Sequence, residues 1–406
     1  MGKIMNESTQ KDFSTDLLPS ERRWAWSEID RDAIRANLKT LRKRLAANTM
    51  MLGVVKADGY GHGATEVAKI ALSTGCTYLG VSNVAEGVSL RNDGIEAPII
   101  IFAEPPVTCI DAILSYDLIP AVNTREFALA LAKTAAAAGV IAPFHIKVDT
   151  GMNRVGVHYT EAGDFLQTIS SFEGLKLQGT FTHFATSDAE DTFGFNTQLQ
   201  RFERVLENIH MRGMDPGIVH SANSAAAIRY RRSHFNMVRL GIAMYGLHPS
   251  SVTYDVVHLE PAMSIHARVN MLKQVPLGEG VSYSFTYRSP GGVEVATIPV
   301  GYADGLSRLL SNKMDVLVHG QRYPQVGNIC MDLCMFEANV QPGSFPARSA
   351  QLAAESKPVA YGDEVIIVGK SGNKEITLDE MAALVGTINY ELACKFSRRL
   401  ERVYLN

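Results

Sequence analysis

A chain of 406 residues, 46% hydrophobic and 20% charged, with formal net charge −3, is long for one core and ordinary for a two-domain soluble enzyme. The slight acidity argues against a nucleic-acid partner, and no uncharged run is long enough to span a bilayer. Five scattered cysteines lack redox or zinc-knuckle spacing, which fits reduced thiols in a cytoplasmic protein. Residues 1–22 are polar, without the apolar core of a signal peptide, and read as a flexible N-terminal extension.

From there the pattern predicts a strand over 22–29, Asp30 as a helix N-cap, and a helix carrying Ile34, Leu38, Leu41 and Leu45 on one face. Leu52, Val54 and Val55 form a buried strand ending at Lys56. Strand-like and helix-like segments then alternate. Strands are expected at 78–82, 97–102, Leu118–Val122, 144–148, 175–183, Ile218–His220 and Met237–Leu240. Helices are expected at 84–91, 124–139 and 160–172, and around Leu199, Phe202, Leu206 and Ile209. Repeated units of this length predict an α/β fold of the (β/α)8, TIM-barrel type, with function at the C-terminal ends of its strands. A doubly wound open sheet is the alternative, but no G-x-G-x-x-G turn supports it.

After about residue 260 the texture changes to a mostly-β domain. Ile265, Ala267, Val269 and Met271 alternate as one half-buried strand, with further strands at 293–300, 315–319, 322–331 and 364–368 and a short helix near 378–384. The Pro-, Ser- and Ala-rich stretch 341–356 reads as a surface insertion. The expected organisation is therefore a barrel over 23–260, its first strand (23–29) pairing with the β domain, and a C-terminal β domain over 261–406.

The chemistry starts at Val54-Val55-Lys56-Ala57-Asp58-Gly59-Tyr60-Gly61-His62-Gly63. A lysine at the end of a buried strand either snorkels to the surface or is held in an apolar mouth, where its amine can attack a carbonyl. Further along, Lys147, Asp149 and Arg154 form either a strand-end salt bridge or a site for an anion. Thr182-His183 and His220-Ser221-Ala222-Asn223-Ser224 end two more strands. With His145 and Asp149 they raise a rival reading, a His/Asp metal centre, which needs a paired ligand motif that does not occur. The Cys330–Cys334 spacing fails as a metal site because no further cysteine or histidine cluster completes four ligands. Asn223 and Ser224 open a helix and Arg239-Leu240-Gly241-Ile242 ends the last barrel strand, the region where this barrel type binds phosphate. In the β domain, 280–287 is aromatic and glycine-bounded, read from its residues alone as a strand with packed tyrosines.

These motifs, in this order from about residue 23 to the end, resemble those of the alanine racemase family. The resemblance implies interconversion of L- and D-alanine by two bases, supplying D-alanine for peptidoglycan, on pyridoxal 5′-phosphate (PLP). Lys56 would bond covalently to the cofactor, and Tyr283 would act from the opposite face in a site shared across a homodimer. Tyr60, His183, Asn223, Ser224, Gly241, Ile242 and Tyr390 would hold PLP. Arg239 would face its ring nitrogen, where many PLP enzymes place a carboxylate; a permanent cation there disfavours a long-lived carbanion. Arg154 and Met331 would contact the substrate, with Lys147, His220 and Asp332 in support and Lys147 carbamylated to orient Arg154. A His183–Arg239 relay would assist Tyr283, while Asp188, Tyr302 and Arg308, with Tyr390, would line an entry corridor. No metal is implied. Asn328 and Leu333 depart from the family's usual arginine and glutamine. A broader or serine racemase, or a PLP-dependent decarboxylase of the same fold, is the alternative; a decarboxylase is expected to carry an acid in place of Arg239. A non-catalytic PLP carrier would have the barrel alone.

Overall fold

The computed structural model describes residues 23–340, 357–396 and 398–406; the expected insertion at 341–356 and the expected N-terminal extension at 1–22 lie outside them. The chain divides into two compact units. One comprises Glu28–Ser264, Gly386–Ser397 and Arg402–Asn406; the other comprises residues up to Ser27, Ile265–Val385 and Arg398–Glu401.

The first unit is a parallel barrel. Its strands follow Ala25–Asp30 (β1) and are Met50–Val54 (β2), Tyr78–Val81 (β3), Ile99–Ile101 (β4), Leu118–Val122 (β5), Ala142–Asp149 (β6), Leu175–Phe181 (β7), Ile218–His220 (β8) and Met237–Leu240 (β9). Neighbours pair in sequence order from β2 to β8, and β9 pairs with β2. Backbone bonds Asn236 N→Val219 O (3.0 Å) and Arg239 N→Ala222 O (2.9 Å) link the remaining gap and close the ring.

The sequence explains the elements. Asp30 accepts from the amides of Asp32 and Ala33, capping the helix Arg31–Arg42 (α1), a contribution of about 1 kcal/mol. Ile34, Leu38 and Leu41 are buried along α1, which ends before Leu45, so the expected stripe is one residue too long. Strand β4 is isoleucine throughout and buried throughout, as a strand covered on both faces should be. Leu199, Phe202, Leu206 and Ile209 are buried along the helix Phe193–Met211. Thr124 caps the helix Arg125–Ala137, and Gly139 follows at φ +67.

In the second unit one sheet runs in the order Gln321–Pro324, Asp315–Val318, Glu364–Ser371, Met263–Arg268, β1. A second has Val293–Ile298 between Met271–Val275 and Cys334–Val340. The single strand expected through Ile265–Met271 is thus two strands in two sheets. The chain changes partner at Val269 and Asn270, whose amides donate to Asp363 O (2.9 Å) and Thr297 O (3.0 Å). Met271, expected inside, is 54% exposed. The strand expected over 322–331 stops at Pro324.

Candidate active site

Strand β2 delivers Lys56 to the mouth of the barrel, and the backbone turns abruptly after it. Ala57, Asp58, Gly59 and Tyr60 take φ of 52°, 52°, 62° and 52°, four successive left-handed residues. Three carry side chains, each costing on the order of 1 kcal/mol or more in this region. The turn aims Lys56 and Tyr60 into one cavity of about 620 Å³. The glycines after it are needed: Gly61 has φ +84, and a Cβ there would lie 2.3 Å from Ala393 O.

The cavity brings together eleven of the residues singled out from sequence: Lys56, Tyr60, Lys147, Arg154, His183, Asn223, Ser224, Arg239, Gly241, Ile242 and Tyr390. Burial, then the Arg154 guanidinium, hold the Lys56 amine below its ordinary pKa, favouring the neutral, nucleophilic form. Burial and then Arg154 and Arg239 bring Lys147 down to about 7. Lys147 Nζ donates to Phe102 O (2.9 Å), and Asp149 accepts from Gly151 N (2.9 Å) and Asn153 N (3.1 Å), so each end of the sequence's salt-bridge alternative is engaged with backbone.

Arg239 is buried at the floor. Its guanidinium donates to the carbonyls of Thr182 (2.8 Å), Ser221 (3.0 Å) and His220 (3.1 Å), and to His183 Nδ1 and His220 Nδ1 (both 3.1 Å). An arginine can only donate, so both Nδ1 atoms accept and both rings carry their proton on Nε2. His220 Nε2 then donates to His145 Nδ1 (2.9 Å). Burial, followed by the Arg239 charge, depresses the pKa of His183 and His220 well below the usual histidine value, so both stay neutral. His145 and His220 are committed to this chain, which leaves them no lone-pair set for a metal. Among the described residues no group of three or more His, Cys, Asp or Glu is placed to hold one.

On the opposite wall, Ser224 Oγ accepts from Gly241 N (3.0 Å) and Ala243 N (3.4 Å), tying the start of the helix Ser224–Arg229 to the end of β9. A Cβ at Gly241 would come 2.9 Å from Tyr60 Oη, so only glycine leaves this wall open. Tyr390 lies 6.3 Å from Tyr60, ring to ring.

Tyr283, Met331 and Asp332 are in the other unit. Tyr283 sits on a short 3-10 turn, Tyr283–Phe285, rather than a packed strand, and is 71% exposed. It lines a separate cavity of about 600 Å³ with Ser282, Phe285 and Cys330. Met331 is 53% exposed, and Asp332 is bonded to Arg399 Nη2 (2.7 Å). Sequence reasoning missed Phe102 and Phe181 in the barrel cavity. Phe181 lies parallel to the His220 ring at 4.8 Å, with the Arg239 guanidinium 5.6 Å from its centroid. An aromatic residue at the C-terminal end of a barrel strand was the available signal. It also missed Glu86, whose carboxylate accepts from Ala57 N (2.8 Å), for which a helix-cap position gives no functional hint.

A parallel barrel whose mouth holds a desolvated lysine and a buried arginine in one cavity defines the class of fold and site. The alanine racemase N-terminal domain model matches residues 29–249 and the C-terminal domain model residues 262–404. The alanine racemase of Desulfovibrio desulfuricans is 40% identical over 94% of this chain and 98% of its own, and that of Halothermothrix orenii 39% over 94% and 97%. Among solved structures, alanine racemase from Bacillus anthracis with bound L-Ala-P superposes with TM-score 0.86 at 36% identity, covering 95% and 96% of the two chains. Histidine racemase from Leuconostoc mesenteroides gives TM-score 0.83 at 27% identity, covering 96% and 99%. The chain belongs to the alanine racemase family, and the reaction it catalyses is racemisation of alanine. Among the described residues no helix is long and apolar enough to cross a membrane.

Proposed function

We propose that the barrel cavity holds PLP, with Lys56 as its covalent anchor and the base on one face of the substrate Cα. The observation that carries this is a desolvated lysine sharing one cavity with Arg239. When bound, PLP supplies an electron sink for the carbon being inverted. The residues fit it. Ser224, Asn223, Gly241 and Ile242 form an open wall for the phosphate, and Tyr390 and Tyr60 close it. Arg239, whose guanidinium donates to the carbonyls of Thr182, His220 and Ser221 and to two histidine nitrogens, would face the ring nitrogen and keep it unprotonated. His183 and His220 hold Arg239 in place.

Arg154 and Met331 bind the substrate, with Asp332 in support. Lys147, brought down to about 7, can present its neutral amine to carbon dioxide, forming an N–C bond and releasing one proton to solvent, and the resulting carbamate anion would orient Arg154. Tyr283 of a second copy supplies the opposite base, so the working enzyme is a homodimer with shared sites. D-alanine for peptidoglycan, made in the reducing cytoplasm, is the role this chemistry serves. Serine or broader specificity is the second reading, because the fold also carries a histidine racemase.

Loss of optical rotation from L-alanine, run beside serine and histidine, measures the specificity; a faster loss from either of the others overturns alanine as the main substrate. Lys56→Ala is expected to abolish the visible chromophore of the purified protein. If the colour stays, the cofactor assignment is wrong.

A further inference from the structure

The turn that carries Lys56 is unfavourable on its own. Gly59 N donates to Val55 O (2.9 Å), Gly61 N to Ala57 O (3.1 Å), His62 N to Gly59 O (2.9 Å) and Gly63 N to Asp58 O (2.8 Å), and His62 Nδ1 lies 2.9 Å from Tyr60 O. Further restraint comes from side chains outside the turn, at two points. At its start, Glu86 Oε1 accepts from Ala57 N (2.8 Å) and Oε2 from Ser82 N (2.7 Å). Glu86 is in the first turn of the helix Val84–Asn92, whose N-cap Asn83 accepts from Glu86 N (3.0 Å). In the usual capping box the glutamate reaches back to the cap residue itself. Here its two oxygens are divided between the residue before the cap and the residue after Lys56.

At the far end, the strand Glu401–Leu405 supplies Arg402 and Tyr404. Arg402 Nη1 pairs with Asp58 Oδ2 (2.8 Å), its Nε donates to Gly61 O (2.9 Å), and Tyr404 Oη donates to His62 O (3.2 Å). Asp58 Oδ1 is used again, accepting from Ala64 N (3.0 Å) at the start of the helix Ala64–Ser73. The contact is close: a Cβ at Gly63 would lie 2.0 Å from Tyr404 Oη. Arg402 thus fixes the turn through one side chain and one carbonyl, with a fork that lysine can only half reproduce.

We propose that Glu86 and Arg402 are positioning residues for Lys56, clamping the left-handed turn 57–60 from both ends so that the amine stays aimed into the cavity. This rests on the reading of Lys56 as the cofactor lysine. The clamp makes kcat, rather than substrate affinity, the quantity at stake, because a drifting amine loses the proton-transfer geometry while Arg154 still binds the carboxylate.

The test uses the PLP-loaded enzyme and hydrogen–deuterium exchange of residues 57–63, with strand 50–54 as internal reference. In the wild type, 57–63 is expected to exchange as slowly as the strand; rapid exchange there overturns the clamp without any variant. In Arg402→Ala, exchange of 57–63 rises about tenfold while 50–54 is unchanged, kcat falls about tenfold and KM for alanine moves less than twofold; Arg402→Lys restores much of both. Glu86→Gln accelerates the same exchange, and by removing a carboxylate beside Lys56 it moves the acid limb of the pH–rate profile to lower pH. Wild-type exchange and wild-type kcat in both Arg402→Ala and Glu86→Gln overturn the proposal. Should Lys56→Ala keep its colour, the cofactor reading falls while the exchange result still decides the clamp.

Discussion

The barrel cavity and the aromatic turn of the other unit are similar in volume and opposite in construction. Around Lys56 a strained turn drives its side chain inward, and the amine is enclosed by cations and rings of its own unit. Around Tyr283 the strain is at Ser282, Ser284 and Phe285, with φ of 64°, 61° and 46°. There the backbone is pinned, with Asn328 Nδ2 donating to Tyr283 O (2.7 Å) and Ser282 Oγ to Asn328 O (2.6 Å), while the tyrosine ring is displayed outward. Both turns store strain, but one directs its side chain into a cavity and the other leaves its ring exposed. Asn328 thus fixes the carbonyl of Tyr283.

Breaking the enclosed half should have the largest effect. Lys56→Ala is expected to lower kcat by at least about 10⁴-fold in both directions. Breaking the displayed half comes next: Tyr283→Phe should lose about 10²–10⁴-fold, the range for one general acid–base group, seen as unequal primary isotope effects for the two alanine enantiomers. A wild-type rate in both directions would remove the second base. The comparison is sharpened by mixing chains. Lys56→Ala and Tyr283→Ala, each inactive alone, should recover about a quarter of wild-type activity when reassorted, since half the dimers are mixed and each has one intact site. No recovery would show that the two halves do not work across copies.

A smaller effect is expected at the strained turn itself. Gly61→Ala forces a side chain against Ala393 O at a left-handed φ and should lower the melting temperature of the barrel unit by several degrees, about 1–3 kcal/mol. The smallest is a pH effect. His62 is fully buried, and burial lowers it to about 4. The unfolded chain takes up a proton below about 6.5 that the folded chain refuses until about 4, so stability is present above 6.5 and is lost as pH falls between these values. The loss from this one group is at most about 3 kcal/mol, and His62→Gln should flatten the acid side of a melting-temperature profile.

Much of the site was legible because its residues lie beside each other in short motifs. Lys56, His183, Asn223, Ser224 and Arg239 each lie at or just beyond the C-terminal end of a barrel strand, and those ends converge. What pattern could not give was backbone handedness. Nothing in Ala57-Asp58-Gly59-Tyr60 announces four left-handed residues, because three of them ordinarily avoid that region and adopt it only under external restraint. The partner change at Val269 was hidden for a related reason: both sheets accept an alternating sequence, so alternation alone cannot say where one ends. Tyr283 reads as a packed strand residue because aromatic spacing does not distinguish a ring turned in from one turned out.

The bond between Arg402 and Gly61 spans 341 residues of sequence. A ribosome therefore releases the whole barrel before the last strand can secure the lysine made near its beginning. Contacts this remote in sequence form late and slow folding. A chain cut after Glu401 would keep the barrel strands and lose the Arg402 and Tyr404 side chains that hold the turn after Lys56.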